Sequence, residues 1–252
     1  MTKKIDINCD MGESYYDNKI GNDAKIMPFI TSCNIACGFH GGDPLTIKKT
    51  IDLALKHNVK IGAHPSFHDI EGFGRRSINI SKHDLKDSLS LQISQFIDVA
   101  NSHDVPVRHI KLHGQLYNDV SRSMELSEVF ISAIKDNNLS LNVVGPYGSL
   151  TRELCSKYEL PFISEAFVDR QYNENLSLVS RSENHALINS IDKRISQARL
   201  IALDHSLLID GKSFKIHAQT LCIHGDTPNA LESVQLIKAA LESEGIKFKY
   251  YG

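Results

Sequence analysis

The sequence predicts an α/β fold, a seven-stranded (β/α) barrel, and three observations carry it. Seven short apolar runs alternate with stretches of helical spacing, the pattern of a parallel sheet crossed by helices. Six of those runs lead into His, Asp or Glu: Ile5 to Asp10, Ser32 to Asp43, Lys60 to His64, His109 to His113, Phe162 to Glu165 and Leu221 to Asp226. In a barrel every strand mouth converges on one pocket, whereas an open doubly wound sheet brings together only the mouths near its switch point. The absence of Gly-x-Gly-x-x-Gly after the first run also counts against a dinucleotide-binding open sheet.

Each element has a local reason. Ile5 to Asp10 is strand one, followed by the polar loop Met11 to Tyr16 and a short helix from Asp23 to Thr31. Ser32-Cys33-Asn34-Ile35-Ala36-Cys37 is small and apolar, as a buried strand is. Gly38 to Asp43 then carries an imidazole, a carboxylate and glycines up to Pro44, a residue suited to open a helix. That helix extends to about Asn58, with Leu45, Ile47, Ile51, Leu53, Ala54 and Leu55 as its apolar positions. Strand three ends at His64-Pro65, and the Gly- and charge-rich run from Ser66 to Arg76 is a loop. Ser81 is an N-cap for a long helix to about His103, with Leu85, Leu89, Ile93, Phe96, Ile97 and Ala100 on its buried stripe.

Strand four is Val107 to Leu112, and a helix from about Glu125 to Asn137 leads to strand five, Leu141 to Val144. A helix from Leu150 to Tyr158 precedes strand six at Phe162. The interval at about 171–219 is an irregular insertion in a single domain spanning 1–252; it holds a helix near Ala186 to Gln197 and a hairpin turning at Asp210-Gly211. Strand seven, Thr220 to Ile223, and a helix from about Asn229 to Ser243 complete the series.

Composition narrows the function classes. A chain of 252 residues with net charge −2 and dispersed basic residues has no electrostatic footprint for nucleic acid or an anionic membrane. No run approaches the roughly 18 apolar residues of a membrane span, and Met1 to Lys4 leads straight into a short strand, so a cytoplasmic protein is expected. The five cysteines are odd in number and irregularly spaced, with four inside predicted strands, which reads as reduced, buried thiols.

Seven motifs in order resemble the LamB/YcsF family: Asp6 to Glu13, Cys37 to Pro44, Gly62 to Pro65, Gly72 to Arg76, Lys111 to Gly114, Glu165 to Arg170 and Cys222 to Pro228. Ser14, Ser66-Phe67-His68, Leu112 and Gln115 depart from the family pattern, and none of these removes a carboxylate, His, Lys or Arg from a motif. The resemblance implies a seven-stranded (β/α) barrel of the glycoside hydrolase/deacetylase type, related to polysaccharide deacetylases and some glycoside hydrolases. It also implies conversion of 5-oxo-L-proline, with ATP and water, to L-glutamate, ADP and phosphate, carried out with partner subunits B and C. No phosphate-binding Gly-x-x-x-x-Gly-Lys-Ser/Thr run is present, so the expectation places ATP on the partners and ring opening on this chain.

Ring opening needs a base for water, an acid for the departing nitrogen and cations for anionic groups. Asp10 and Glu13 are the foremost bases, with Asp226 a rival across the closing seam; each could instead cap a helix or turn. His40, His64, His113 and His224 follow four different strands, and His64 and His113 join the expected catalytic set. Lys111 points to the same side of its strand as His109 and His113, and once buried it needs an anion, either a ligand's or a barrel carboxylate such as Glu165. Arg75, Arg76 and Arg170 suit a carboxylate or phosphate, and Asn8, His40, Asp43, Glu165, Asp169 and His224 complete the expected substrate contacts. Two rivals stay open. One is a metal-dependent deacetylase or carbohydrate hydrolase, for which Asp10, His64 and His113 would be the ligands, although the expected site holds no metal. The other is a lactam-binding subunit without chemistry of its own.

Overall fold

The computed structural model describes residues 3–137 and 141–252, so Met1 and Thr2 of the N-terminal reading lie outside the described residues. Seven parallel strands close on themselves: β1 (Lys4–Met11), β2 (Ser32–Ala36), β3 (Lys60–His64), β4 (Val107–Lys111), β5 (Asn142–Pro146), β6 (Phe162–Phe167) and β9 (Thr220–Cys222). Each pairs with the next, and β9 pairs with both β6 and β1, with Asn8 opposite Cys222 at the closing seam. A barrel of this kind sends every strand end to one rim.

Strand alternation sorts the side chains into two environments. On β1, Ile5, Ile7, Cys9 and Met11 turn outward into the apolar core beneath the helices, while Asp6, Asn8 and Asp10 turn inward. The barrel interior is therefore filled by hydrogen-bonded polar groups rather than by the branched apolar layers common in such barrels. At its base Asp6 accepts from Ser32 Oγ at 2.8 Å and Thr220 Oγ1 at 2.5 Å. Above it Asn8 Nδ2 donates to Glu165 Oε1 at 2.9 Å, Asn34 Nδ2 to Asn8 Oδ1 at 2.8 Å, and His109 Nε2 to Asn34 Oδ1 at 2.8 Å. Gly62, directly opposite His109, makes room for that ring; a Cβ there would run into it.

Around the barrel pack α1 (Asp23–Ile26), α2 (Pro44–Lys56), α3 (Lys82–Asn101), α4 (Gly114–Arg122), α5 (Met124–Asp136), α6 (Leu150–Lys157), α7 (Ile191–Arg199) and α8 (Ala230–Ser243). Ser81 caps α3 by accepting from the Asp84 amide, as its sequence position predicts. On α2, Ile47, Ile51 and Ala54 are buried, but Leu45 and Leu55 are each 58% exposed, so the apolar face is narrower than the expected one.

Three features differ from the expected series. Helix α4 occupies the stretch between strand four and the Glu125 helix, where the sequence reading assigns no element. It opens without a side-chain cap, at Gly114 with φ +57°, where a Cβ would strike the Gly74 carbonyl. Helix α7 starts at Ile191 rather than near Ala186 because Ser190 supplies its cap, accepting from the Lys193 amide. A short strand, β10 (Lys247–Phe248), lies beside Lys4 and Ile5 at the base of the barrel. The hairpin at Asp210-Gly211 forms as expected from β7 (Ser206–Ile209) and β8 (Lys212–Lys215). All five cysteines are free and buried. Among the described residues no helix is long and apolar enough to cross a membrane.

Candidate active site

A cavity of about 370 Å³ opens at the C-terminal ends of the strands, bordered by Asp10, Glu13, Arg75, Lys111, His113, Tyr117, Phe167, Arg181 and His224 among others. Its position follows from the topology, since β1, β4, β6 and β9 each end at this rim.

Lys111 sits at the floor, 1% exposed, with Nζ 2.9 Å from both Asp10 Oδ1 and Glu165 Oε1. Its need for an anion is met within the barrel. Burial opposes the ammonium, but Asp10, Cys222 and Glu165 hold its proton more tightly than in water. Glu165 is also fixed by the Tyr117 hydroxyl, which donates to Oε2 at 2.8 Å. Burial likewise opposes the Asp10 carboxylate, yet His64 and Lys111 hold its carboxyl well below the usual range. Asp10 is thus an anion at neutral pH. Glu13 behaves oppositely: burial, then the charges of Asp10 and Asp226, push its carboxyl well above the usual range. Two carboxylates of one motif therefore differ in proton affinity because only Asp10 is held down by His64 and Lys111.

Three imidazoles surround Glu13. His64 Nδ1–H donates to the Lys111 carbonyl at 2.8 Å, and His113 Nε2–H donates to the Phe73 carbonyl at 2.9 Å. Their remaining nitrogens face each other at 3.0 Å, while Glu13 Oε1 lies 3.3 Å from His113 Nδ1. The His40 ring stacks on His113, centroids 3.6 Å apart and planes within 2°. Burial makes both His40 and His113 harder to protonate. Glu13, His40, His64 and His113 bring their ligand atoms within 4.8 Å of one another, which makes this the cluster among the described residues able to hold a metal ion.

Across the cavity stands a second unit. Asp169 accepts from the backbone N–H of His224 at 3.0 Å and from its Nδ1 at 2.9 Å, so the ring is fixed with Nε2 left for a ligand. Burial opposes the Asp169 charge, but His224 holds its carboxyl down at about 2. The His224 ring lies parallel to Phe167, centroids 5.2 Å apart. At the mouth Arg75 pairs with Asp226 at 2.5 Å, and half-buried Arg181 borders the cavity with no hydrogen-bond or ion-pair partner among the described residues.

Most of the expected residues come together here, but several have other work. Asp43 caps α2, accepting from the Leu45 and Thr46 amides at 3.0 Å each. Arg76 pairs with Asp69 on its own loop and is more than half exposed, away from the cavity. Arg170 borders the cavity but spends its donors on the Ala186 and Val179 carbonyls, tying down the irregular segment. Asn8 and Glu165 belong to the layer beneath the floor, and Asp169 acts through His224. Tyr117 and Arg181 are site residues that the motifs do not single out. Leu116, Tyr117 and Val120 do carry a helical spacing that points to α4, whereas Arg181 lies in a segment with no periodic signal.

Fold and site together define a closed (β/α)-barrel protein with an acid–base pocket at its strand ends. A model of the LamB/YcsF family matches residues 5–251, and the chain belongs to that family. It is 40% identical over 247 residues to a Bordetella pertussis protein named as the A subunit of 5-oxoprolinase, covering 98% of each chain. A Staphylococcus carnosus protein of the same name is 39% identical over 250 residues, with 99% of each chain covered. Among solved structures, the lactam utilization protein of Thermus thermophilus superposes with a TM-score of 0.92 at 34% identity, over 98% of this chain and 100% of that one.

Proposed function

We propose that this chain opens the lactam ring of 5-oxo-L-proline to give L-glutamate, as one member of an ATP-dependent complex whose partners, subunits B and C, bind the nucleotide. The observation that carries this reading is the pairing, across one cavity of about 370 Å³, of a carboxylate–imidazole floor with an Asp-oriented His224. That volume suits a small ligand. Full-length similarity to proteins named as the A subunit of 5-oxoprolinase supports the choice of substrate.

The chemistry follows from the two sides of the cavity. A water above the floor loses a proton to a carboxylate and adds to the lactam carbonyl carbon. The C–N bond then breaks, its electron pair goes to nitrogen, and His224 Nε2, once protonated, supplies the proton that makes the amine a leaving group. Phosphorylation of the carbonyl oxygen by ATP makes the carbon electrophilic before this step; collapse then leaves an acyl phosphate, which a second water hydrolyses to carboxylate and phosphate. Arg181, together with Arg75, faces the substrate carboxylate.

Reconstitution with subunits B and C, each omitted in turn, tests the division of labour. Glutamate formation should require all three. Loss of all 5-oxoproline-dependent ATP turnover when only this chain is left out would place the nucleotide step here and overturn the assignment. Asp10→Asn separates catalysis from mere binding: a catalytic floor keeps complex formation and loses turnover by about 100-fold or more, whereas a recognition subunit loses affinity in proportion.

A further inference from the structure

The tautomers of the floor histidines are set by groups that can only accept hydrogen bonds. Because His64 Nδ1 and His113 Nε2 both donate to backbone carbonyls, the neutral rings present the lone pairs of His64 Nε2 and His113 Nδ1 to each other at 3.0 Å. Glu13 Oε1, buried and without a hydrogen-bond donor, is a third electron-rich atom 3.3 Å from His113 Nδ1. With both rings neutral and Glu13 ionised, these are three acceptors whose mutual approach calls for a cation between them. One proton can bridge only two of the three; a metal ion serves all.

We propose that Glu13 Oε1, His64 Nε2 and His113 Nδ1 bind one divalent transition-metal ion, zinc by its ligand set, with a fourth position open to the cavity. Metal–ligand bonds of about 2.0–2.1 Å at tetrahedral angles place ligand atoms about 3.3 Å apart; two of the pairs here stand at 3.0 and 3.3 Å, and all three atoms lie within 4.8 Å of one another. The His64 and His113 planes cross at 87°, so one ion can lie in both. His40 is excluded by the same test: its plane is parallel to that of His113 at a 3.6 Å centroid separation, and no single point lies in both rings. It packs as a lid on His113 instead. Backbone carbonyls holding the far nitrogen of each ligating imidazole are the usual outer support of such ions. Two imidazoles, one carboxylate and no thiolate leave an open coordination site of the catalytic zinc kind. An ion held there would make a water on its open position more acidic, and the Asp10 carboxylate, whose Oδ2 lies 3.3 Å from His64 Nε2, would be at hand to take the proton. The role of the ion in ring opening rests on the proposed function, but its binding does not.

The test uses the untagged full chain alone, so its outcome is independent of substrate and partners. Purified without chelator, it should carry about one zinc per chain by elemental analysis. After stripping, it should take up one equivalent of cobalt(II) with the intense visible bands of a four-coordinate site. His113→Ala and His64→Ala should abolish that uptake, and His40→Phe, which keeps the stack, should retain it. Because the cobalt spectrum is read on the unaltered chain, misfolding of a variant cannot mask the result. No retained metal together with no cobalt uptake, a weak six-coordinate spectrum, or uptake unchanged in both alanine variants would overturn the proposal. A chain that binds zinc yet fails to support 5-oxoproline turnover with its partners would refute the proposed function and leave the metal site standing.

Discussion

Replacing Lys111 by Met measures how far the polar interior depends on one buried ammonium. Its Nζ lies 2.9 Å from both Asp10 Oδ1 and Glu165 Oε1, and all three residues are less than a tenth exposed. Removing one partner of a buried ion pair costs about 3–5 kcal/mol because the charge left behind is uncompensated. Here two carboxylates lose their cation. For a chain of this size each kcal/mol moves Tm by about 2–4 °C, so Lys111→Met should melt about 6–20 °C lower. Adding Glu165→Gln removes one orphaned charge, since its amide oxygen can accept from Asn8 Nδ2 while its NH2 donates to the Tyr117 hydroxyl oxygen, and should recover at least about 1 kcal/mol of the loss. Thermal and denaturant unfolding of both variants at neutral pH, without ligand, supplies the comparison. A single variant destabilised by less than about 1 kcal/mol, or a double variant no more stable than the single, would refute this account of the barrel interior.

Three further perturbations follow from the same contacts. Burial raises Asp6 from 3.8 to about 6, so the folded state holds its proton more tightly and stability falls as pH rises through that window, by about 3 kcal/mol. Asp6→Asn should flatten this part of the pH–stability curve relative to the unaltered chain, and equal slopes would contradict the burial argument; Asp23, raised to about 6, titrates in both proteins and cancels. Asp169→Asn leaves His224 without its orienting carboxylate and should lower turnover by about 100-fold or more with little change in Tm, checked by glutamate release from the reconstituted complex. Arg181→Ala removes a guanidinium that has no hydrogen-bond or ion-pair partner among the described residues and should raise KM for 5-oxoproline by about 10-fold with kcat nearly unchanged; a fall in kcat alone would assign it a different role.

Much of this arrangement is legible in the chain because two strong signals coincide. Strand periodicity places Asp10, Lys111 and Glu165 inside the barrel, and parallel closure brings the ends of β1, β4 and β9 to one rim. What escapes sequence reading escapes it for physical reasons. Helix α4 starts at a glycine that no side chain caps, because the approach of Gly74 rather than a cap fixes its first turn. Asp43 has the spacing of a site residue and the chemistry of a helix cap, and only the contacts to Leu45 and Thr46 decide between them. Arg170 and Arg181 come from one irregular segment, yet the first holds backbone carbonyls and the second faces the cavity. Nor can spacing reveal a tautomer: the convergence of His64 and His113 depends on carbonyls of Lys111 and Phe73.

Crystals of the chain grown with 5-oxo-L-proline test the central claim most directly. The lactam is expected within the strand-end cavity, its carbonyl over Glu13 and His113, its ring nitrogen toward His224 and its carboxylate toward Arg181. Ordered ligand elsewhere on the molecule, with this cavity filled only by solvent, would contradict the account.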